Sequence, residues 1–255
     1  MVQLKTDTSI EAMREAGRVV AQVLAAARKA AAVGVSLREL DEVAREVLRE
    51  AGAGSPFLNY KPHFAPTPFP GVICASVNDA IVHGIPAGQR LRDGDLVSID
   101  AGATLGGWVG DSAISFTVGR ARPADIRLID TAFEALEAGI AAAVVGNRIG
   151  DIAHAIGTVC RTAGYGIPEG FGGHGVGRSM HEDPAVPNEG RPGRGMPLRH
   201  GMVLAIEPML IGSGRDAFHP DRDGWTLRTS DGSRAAHAEH TVAITDAGPR
   251  ILTAL

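Results

Sequence analysis

The sequence carries one amphipathic helix pair twice, and this internal repeat constrains the fold more than any other feature. Residues 33–52 align without a gap on residues 145–164, a spacing of 112 residues in a chain of 255. The matched positions are Val33 and Val145, Gly34 and Gly146, Leu37 and Ile149, Leu40 and Ile152, Val47 and Val159, Arg49 and Arg161, Ala51 and Ala163, and Gly52 and Gly164. A repeat on this scale predicts a fold built from two similar units.

Four helices are predicted from apolar residues at helical spacing and from capping residues at their ends. A capping box formed by Thr8 and Glu11 opens the first helix, and Pro123 suits the first turn of the third. The predicted helices cover about 9–32, the segment from the capping pair Ser36 and Glu39 to the stop signal Gly52, about 124–145, and about 150–163.

Strand signals follow each helix pair. The segment 94–118 follows the first pair, and the segments 201–211 and 238–245 follow the second. No linker rich in Pro, Gly or Ser separates the two α-α-β halves, which cover about 1–122 and 123–255. The sequence therefore predicts a single duplicated α+β domain, in which the helices cover one face of a mostly antiparallel sheet.

Composition excludes several classes of protein. A net charge of −4 provides no basic field for nucleic acid or an anionic membrane. The sequence contains no apolar run long enough for a membrane span, and its N-terminus lacks the apolar core of a signal peptide. Two cysteines are too few for a disulfide framework, so we expect a reducing, cytoplasmic location.

The segment 170–184, GFGGHGVGRSMHEDP, places His174 and His181 among five glycines. Each interior Gly costs a helix about 0.5–1 kcal/mol relative to Ala, and a strand gains little from it. The glycines therefore indicate that another group approaches the backbone closely at His174.

Two aspartates stand on the strands of a predicted hairpin. A turn at Leu105 and Gly106 would place Asp100 directly opposite Asp111, with Cβ atoms about 4.5–5.5 Å apart. Directly opposed like charges destabilise a sheet, so this register favours a cation between them. The alternative is that both aspartates cap turns, and it is weaker for Asp111, which lies beyond the turn.

Two glutamates stand at the ends of apolar strands. Glu207 ends one strand and Glu239 opens another, positions that a carboxylate rarely takes unless it is paired or binds a metal. His237 shares the face of Glu239, whereas His240 points the other way and is the poorer ligand candidate. With Asp100, Asp111 and His174, the two glutamates make four carboxylates and one imidazole. This set suits a pair of divalent ions such as Mn, Fe or Co.

Six motifs together are similar to those of the type I methionine aminopeptidases, and the match runs over nearly the whole chain. They are SVNDAIVHGIP, SIDAGA, GDSA, GHGVGRSMHEDP, LAIEPML and EHTVAIT, in this order. The resemblance implies the duplicated pita-bread fold and a site for two divalent ions. It implies that Asp100 holds one ion, that His174 and Glu207 hold the other, and that Asp111 and Glu239 bridge both.

The resemblance also implies roles beside the ions. Glu207 would shuttle a proton, and His83 and His181 would contact the substrate and stabilise the transition state. A histidine in VHGIP could instead satisfy a turn. The substrate pocket would be formed by Phe69, Cys74, Met180 and Trp225 together with the two histidines. Pro66 and Met180 stand where the family commonly has an aromatic residue, which predicts an apolar but reshaped pocket.

The implied activity is removal of the N-terminal methionine from nascent polypeptides with a small second residue. We expect a monomeric minimal catalytic domain without nucleic-acid or membrane binding, and the resemblance leaves room for a transient ribosome contact. Xaa-Pro aminopeptidases use the same ligands, but they usually carry a further N-terminal domain for which 255 residues leave no space. A catalytically inactive peptide-binding domain would be marked by lost ligands, and all five are present.

Overall fold

The computed structural model describes residues 2–63 and 65–255. Its helices are α1 (Asp7–Ala30), α2 (Leu37–Glu50), α3 (Pro123–Ala142) and α4 (Ile149–Thr162). Its strands are β1 (Ile73–Val77), β2 (Ala80–Val82), β3 (Asp95–Leu105), β4 (Trp108–Val118), β5 (Gly172–Gly175), β6 (Glu182–Pro187), β7 (Val203–Ile206), β8 (Met209–Ile211), β9 (Phe218–Pro220), β10 (Leu227–Thr229), β11 (Ala235–His237), β12 (His240–Thr245) and β13 (Gly248–Ile251). Within these residues, no helix combines the length and apolar character needed to cross a lipid bilayer.

The helix ends follow their capping groups. The Ser36–Glu39 capping box of α2 forms as predicted, and Pro123 opens α3. The Thr8–Glu11 prediction was wrong, because α1 begins two residues earlier with Thr6 accepting a hydrogen bond from the backbone N–H of Ser9. Helix α3 ends three residues before its predicted end, where the side-chain amide of Asn147 donates to the carbonyl of Ala142 at 2.9 Å.

The two helix pairs occupy equivalent places in the structure. Both ends of α4 are displaced by 112 residues from those of α2, which is the spacing of the sequence repeat. Helix α1 packs on α2, and α3 packs on α4. Each pair buries its apolar stripe against strands of its own half, so the structure has two main apolar cores. The predicted boundary after residue 122 falls at the start of α3.

Antiparallel strands form the layer beneath the helices. One sheet has the order β1-β3-β4, and a second has the order β13-β12-β7-β5-β6. Smaller sheets join β2, β10 and β9, and β8 with β11. Every described pairing is antiparallel, as the predicted α+β class requires. The two larger sheets meet where the backbones of Ala113 and Glu239 exchange hydrogen bonds.

The β3–β4 hairpin has a different register from the one predicted. Gly106 and Gly107 form the turn, with φ of 58° and 75°, because a two-residue type I′ turn needs positive φ at both positions. Asp111 therefore lies opposite Gly102 rather than Asp100, and the two aspartates are diagonal neighbours. They remain on the same face of the sheet, because Gly102 and Asp100 are two residues apart on one strand.

The glycines around His174 belong to a strand, contrary to the expectation that a strand gains little from them. Strand β5 lies between β6 and β7. A Cβ on Gly173 would lie well inside van der Waals distance of the Ala205 carbonyl oxygen, and one on Gly175 would collide with the Asp183 carbonyl. The group that approaches this backbone is therefore the backbone of the adjacent strands, which fixes the position of His174 between them.

Gly173→Ala is expected to lower the free energy of unfolding by about 1–3 kcal/mol, because the added methyl must push β5 away from β7. Gly88→Ala is the matched control, since a Cβ there meets no atom within 4 Å and the backbone φ is not positive. The control should raise the free energy of unfolding by no more than about 1 kcal/mol. Urea unfolding of both variants would test this, and equal stabilities would contradict the close packing of β5.

Candidate metal centre and active site

The five predicted metal ligands converge on one cavity of about 300 Å³. They come from five chain segments: β3, β4 and β5, the residue after β7, and the residue before β12. The Nε2 atom of His174 lies 3.5 Å from Glu207 Oε1 and 3.9 Å from Asp111 Oδ2. Both halves of the chain thus contribute to the site. The residues that converge are Asp100, Asp111, His174, Glu207 and Glu239.

Hydrogen bonds between the halves hold the backbone at the carboxylates. The Asp111 N–H donates to Thr241 Oγ1 at 3.0 Å, and the Thr241 hydroxyl donates to the Asp111 carbonyl at 2.7 Å. The Ser112 hydroxyl donates to the Glu239 carbonyl at 2.6 Å. On the third side, the side-chain amide of Asn188 donates to the carbonyl of Glu207 at 2.9 Å. These bonds leave the carboxylate groups themselves free to face the cavity.

Burial raises the pKa of all four carboxyl groups in the metal-free site. It raises the pKa of Asp100 to about 7 and that of Glu207 to about 8. The pKa values of Asp111 and Glu239 are raised well above the ordinary range, first by burial and then by repulsion from the neighbouring carboxylates. Because all four groups resist ionisation, the metal-free site holds too little positive charge to balance four carboxylates.

The donor set fits divalent cations. Three buried carboxylate oxygens have no hydrogen-bond partner among the described residues, one each on Asp100, Asp111 and Glu239. Orphaned buried oxygens are rare, because each loses its hydration without compensation. Carboxylate oxygens with a single imidazole nitrogen are ligands that Mn, Fe and Co accept. The residues therefore fit the metal ions that the sequence motifs imply.

His174 is oriented to present a lone pair to this cluster. Its Nδ1 lies 2.9 Å from the Gly175 carbonyl oxygen, so Nδ1 carries the proton and donates it. Burial lowers the pKa of His174 to about 4, which keeps the ring neutral. The unprotonated Nε2 then faces Asp111 and Glu207, as a metal ligand must.

His83 and His181 line the same cavity. His83 has a left-handed backbone with φ of 60°, a conformation uncommon outside glycine and often found at functional sites. Burial lowers the pKa of His83 to about 4, and its ring packs edge-on against Phe171. The alternative that this histidine only satisfies a turn does not account for its place in the cavity wall.

His181 stands at the mouth of the cavity. Its ring centroid lies 4.2 Å from that of His174, and its Nδ1 lies 3.2 Å from the Tyr60 hydroxyl. Partial burial lowers the pKa of His181, which favours the neutral ring. A Tyr60 hydroxyl that donates to Nδ1 leaves the ring proton on Nε2.

Glu182 anchors the loop that carries His181. Its carboxylate accepts hydrogen bonds from the backbone N–H groups of Arg178 and Ser179 at 2.9 and 3.3 Å. The buried Lys5 ammonium lies 2.6 Å from the same carboxylate. These contacts lower the pKa of Glu182, so its carboxylate stays ionised and holds the loop in place.

The predicted side-chain pocket forms the apolar part of the cavity, which includes Phe69, Cys74, Met180 and Trp225. The rings of Phe69 and Trp225 meet edge-to-face with centroids 5.1 Å apart. Burial and the neighbouring Asp100 raise the pKa of Cys74, so this thiol is an apolar wall group. Pro66 is not part of the wall and lies instead against Gly224.

Sequence reasoning missed several residues of the wall: Phe57, Tyr60, Phe171 and Met209. Three of them, Phe57, Tyr60 and Phe171, are aromatic, and the composition of the chain could have pointed to them. The chain has only eleven aromatic residues, and five of them line this one cavity. In a chain poor in aromatic residues, those near the motif histidines are therefore candidates for the pocket. His237 was also missed, and its side chain lies against Glu207 and Glu239.

Carboxylates and an imidazole around one cavity of a duplicated α+β fold are the ligand types of a metal-dependent hydrolase site. The fold matches solved peptidase structures. A methionine aminopeptidase from Thermotoga maritima superposes with a TM-score of 0.95 over 100% of both chains, at 38% identity. A prolidase from Pyrococcus furiosus shares the fold with a TM-score of 0.78 at 23% identity, and the chain covers 65% of it.

The sequence comparisons agree with the structural ones. Methionine aminopeptidase 1 of Mycobacterium tuberculosis is 53% identical, with 99% of this chain and 95% of that protein aligned. Methionine aminopeptidase of Clostridium acetobutylicum is 45% identical, with 99% of each chain aligned. The profile of metallopeptidase family M24 matches residues 11–246. The chain belongs to metallopeptidase family M24, and the predicted pita-bread fold is confirmed.

Proposed function

We propose that this protein hydrolyses the peptide bond after an N-terminal methionine when the second residue is small. The observation that carries the proposal is the cavity, in which an apolar and aromatic pocket ends on the carboxylate cluster. An apolar pocket suits one apolar side chain and would place the following peptide bond beside the ligands. Full-length relatives named methionine aminopeptidase support the same reaction.

The cluster would hold two divalent ions of Co, Mn or Fe. We assign Asp100 to one ion, His174 and Glu207 to the other, and Asp111 and Glu239 to both. When bound, such ions would lower the pKa of the attacking water and polarise the carbonyl of the scissile bond. The described residues also contain two compact sets of candidate donor atoms that share Glu239, one with Asp111 and His174 and one with Glu207 and His237.

The protein's own residues move protons and hold the substrate. Glu207 lies among the ligands, where it can accept a proton from the attacking water and pass it to the leaving amine. His181 donates from Nε2 to the oxygen on which charge develops, and His83 contacts the scissile amide. Phe69 and Trp225 hold the methionine side chain. Nascent N-termini as substrates, a transient ribosome contact and a monomeric state stay predictions.

His181→Ala is expected to lower kcat on the order of 10²-fold while the protein still binds its metal ions, because His181 acts on charge that develops in the transition state. Tyr60→Phe removes only the hydroxyl that orients the ring, so it should have a smaller effect in the same direction. Metal content and steady-state rates of both variants would test this. A large loss of metal from His181→Ala would show that the histidine is a ligand.

The substrate assignment is tested with three peptides, Met-Ala-Ser, Met-Leu-Ser and Ala-Pro-Ser, incubated with the Mn²⁺-loaded protein. We expect rapid release of methionine from the first peptide. The bulky second residue of Met-Leu-Ser should slow release steeply, because it must fit beside the ligands. Faster cleavage of Ala-Pro-Ser would overturn the proposal in favour of an Xaa-Pro aminopeptidase, and cleavage of none would favour an inactive peptide-binding domain.

A further inference from the structure

His237 is a buried histidine beside the candidate metal centre to which the proposed reaction gives no role. It is the last residue of β11, two positions before Glu239, and its side chain is 2% exposed. Its Nε2 atom has no hydrogen-bond partner among the described residues. This nitrogen lies 3.5 Å from Glu207 Oε2 and 3.9 Å from Glu239 Oε2.

The position of His237 differs from that of the five predicted ligands. Those ligands line the cavity, whereas His237 does not. It therefore approaches Glu207 from the protein side. His174 Nε2 lies at the same distance, 3.5 Å, from the other oxygen, Glu207 Oε1. The Glu207 carboxylate thus lies between two imidazoles, one in the cavity wall and one behind it.

The two imidazoles can play different roles. His174 has its proton on Nδ1 and offers a lone pair to the cavity. A lone pair on His237 Nε2 would repel the ionised Glu207 that holds a metal ion, because a carboxylate only accepts hydrogen bonds. A proton on this nitrogen instead makes it a hydrogen-bond donor to Glu207 Oε2, and this bond would give the buried nitrogen the partner that it otherwise lacks.

Two buried hydrogen bonds fix the backbone of His237 and so restrict where its ring can lie. The His237 N–H donates to Ser115 Oγ at 2.9 Å, and the Ser115 hydroxyl donates to the His237 carbonyl at 2.7 Å. Both bonds are buried and join β11 to β4. The strand also pairs with β8, where His237 lies opposite Met209 just after Glu207. This pairing holds His237 beside the segment that carries Glu207, two residues before Met209.

We propose that His237 is a positioning residue whose Nε2–H donates a hydrogen bond to Glu207 Oε2 and so turns Oε1 toward His174 and the metal ion that both would hold. Outer partners of this kind orient metal-ligating side chains and raise their affinity for the ion. The inference rests on the proposed metal site, but its main test does not depend on the peptide that is cleaved.

The test compares His237→Gln with His237→Asn. A glutamine side chain places its amide N–H near the position of Nε2, whereas asparagine is one methylene shorter and cannot reach Glu207. Both variants keep a polar amide, so we expect them to change the stability of the fold by similar amounts. Melting temperatures measured in chelator test this. His240→Asn is the matched control, because His240 lies on the other face of the chain and bonds to Thr253 Oγ1 through Nδ1.

Co²⁺ is titrated into each stripped protein and followed by its visible absorption. We expect His237→Asn to bind Co²⁺ about 10–100-fold more weakly, with an altered spectrum, while His237→Gln and His240→Asn stay close to wild type. In peptide assays, His237→Asn should lower kcat and leave KM for Met-Ala-Ser nearly unchanged. Wild-type Co²⁺ affinity in His237→Asn, or equal losses in both His237 variants, would overturn the inference. If the peptide specificity is wrong but Co²⁺ binding follows this pattern, only the proposed function fails.

Discussion

Glu207→Gln is expected to lower kcat for methionine release by about 10²–10⁴-fold, the range that a positioned proton carrier contributes. The substitution keeps the shape of the side chain and removes its capacity to accept and return a proton. It also removes one negative ligand, so weaker metal binding alone could lower the rate. The measurement is therefore a single-turnover rate at saturating Mn²⁺, together with the metal content per chain.

Glu189→Gln is the control for this substitution. Glu189 lies outside the cavity, is exposed, and pairs with Arg161, so its loss should leave the rate unchanged. If Glu207→Gln keeps full metal content and still loses activity, Glu207 is the proton shuttle as well as a ligand. A wild-type rate in Glu207→Gln would remove the residue from the mechanism.

Asp111→Asn is expected to leave the metal-free protein at least as stable as wild type and to flatten its response to metal. The wild-type site brings four acidic groups together. Burial raises the pKa of each, and repulsion between neighbouring carboxylates raises those of Asp111 and Glu239 further. Removing one charge while keeping the shape relieves this repulsion. Wild-type protein should melt at rising temperature as Mn²⁺ or Co²⁺ exceeds its Kd, and the variant should gain much less.

The same groups determine how stability depends on pH in chelator. A carboxyl group with a folded pKa above its unfolded value binds its proton more tightly in the native state. The stability that this provides is fully present below the unfolded pKa and is lost as pH rises through about 7 for Asp100 and about 8 for Glu207. Buried histidines with lowered pKa values act in the opposite sense, but only below about pH 6.5.

Metal-free wild type should therefore lose melting temperature between about pH 6.5 and pH 8, and the loss should be smaller in Asp111→Asn. Melting curves of both proteins in chelator and in a metal titration would show this. If metal-free Asp111→Asn melts well below wild type and still gains the full metal-induced shift, the carboxylates do not form a common repulsive site.

Local sequence signals determined much of the fold. The Ser36–Glu39 box, Pro123 and the repeated apolar stripes correctly located helices, because these signals act within a few residues. The predicted register of the β3–β4 hairpin was wrong, also because of a local signal. The sequence offers two adjacent two-residue turns, and the choice of Gly106 and Gly107 depends on which pair accepts positive φ at both positions. That choice moved Asp111 by two places relative to Asp100.

The parts of the site that were missed depend on contacts between distant segments. Periodicity correctly placed His237 on the face of Glu239, but its contact with Glu207 arises from the pairing of β11 with β8. Tyr60 reaches His181 across 121 positions of sequence. Single-sequence patterns do not encode such pairings, because they reflect the side chain's own neighbours along the chain. The five motif residues were found because each stood out as a polar group in an apolar strand or a glycine-rich segment.

The proposed metal centre is tested most directly by the release of methionine from Met-Ala-Ser by chelator-treated protein as Mn²⁺ is added back. Because Asp100, Asp111, His174, Glu207 and Glu239 are proposed to act only through the ions they hold, we predict no release in chelator. Release should then rise with added Mn²⁺ to a plateau when the site is filled. Full activity in chelator, unchanged by Mn²⁺, would contradict the claim that this cluster is a metal-dependent catalytic centre.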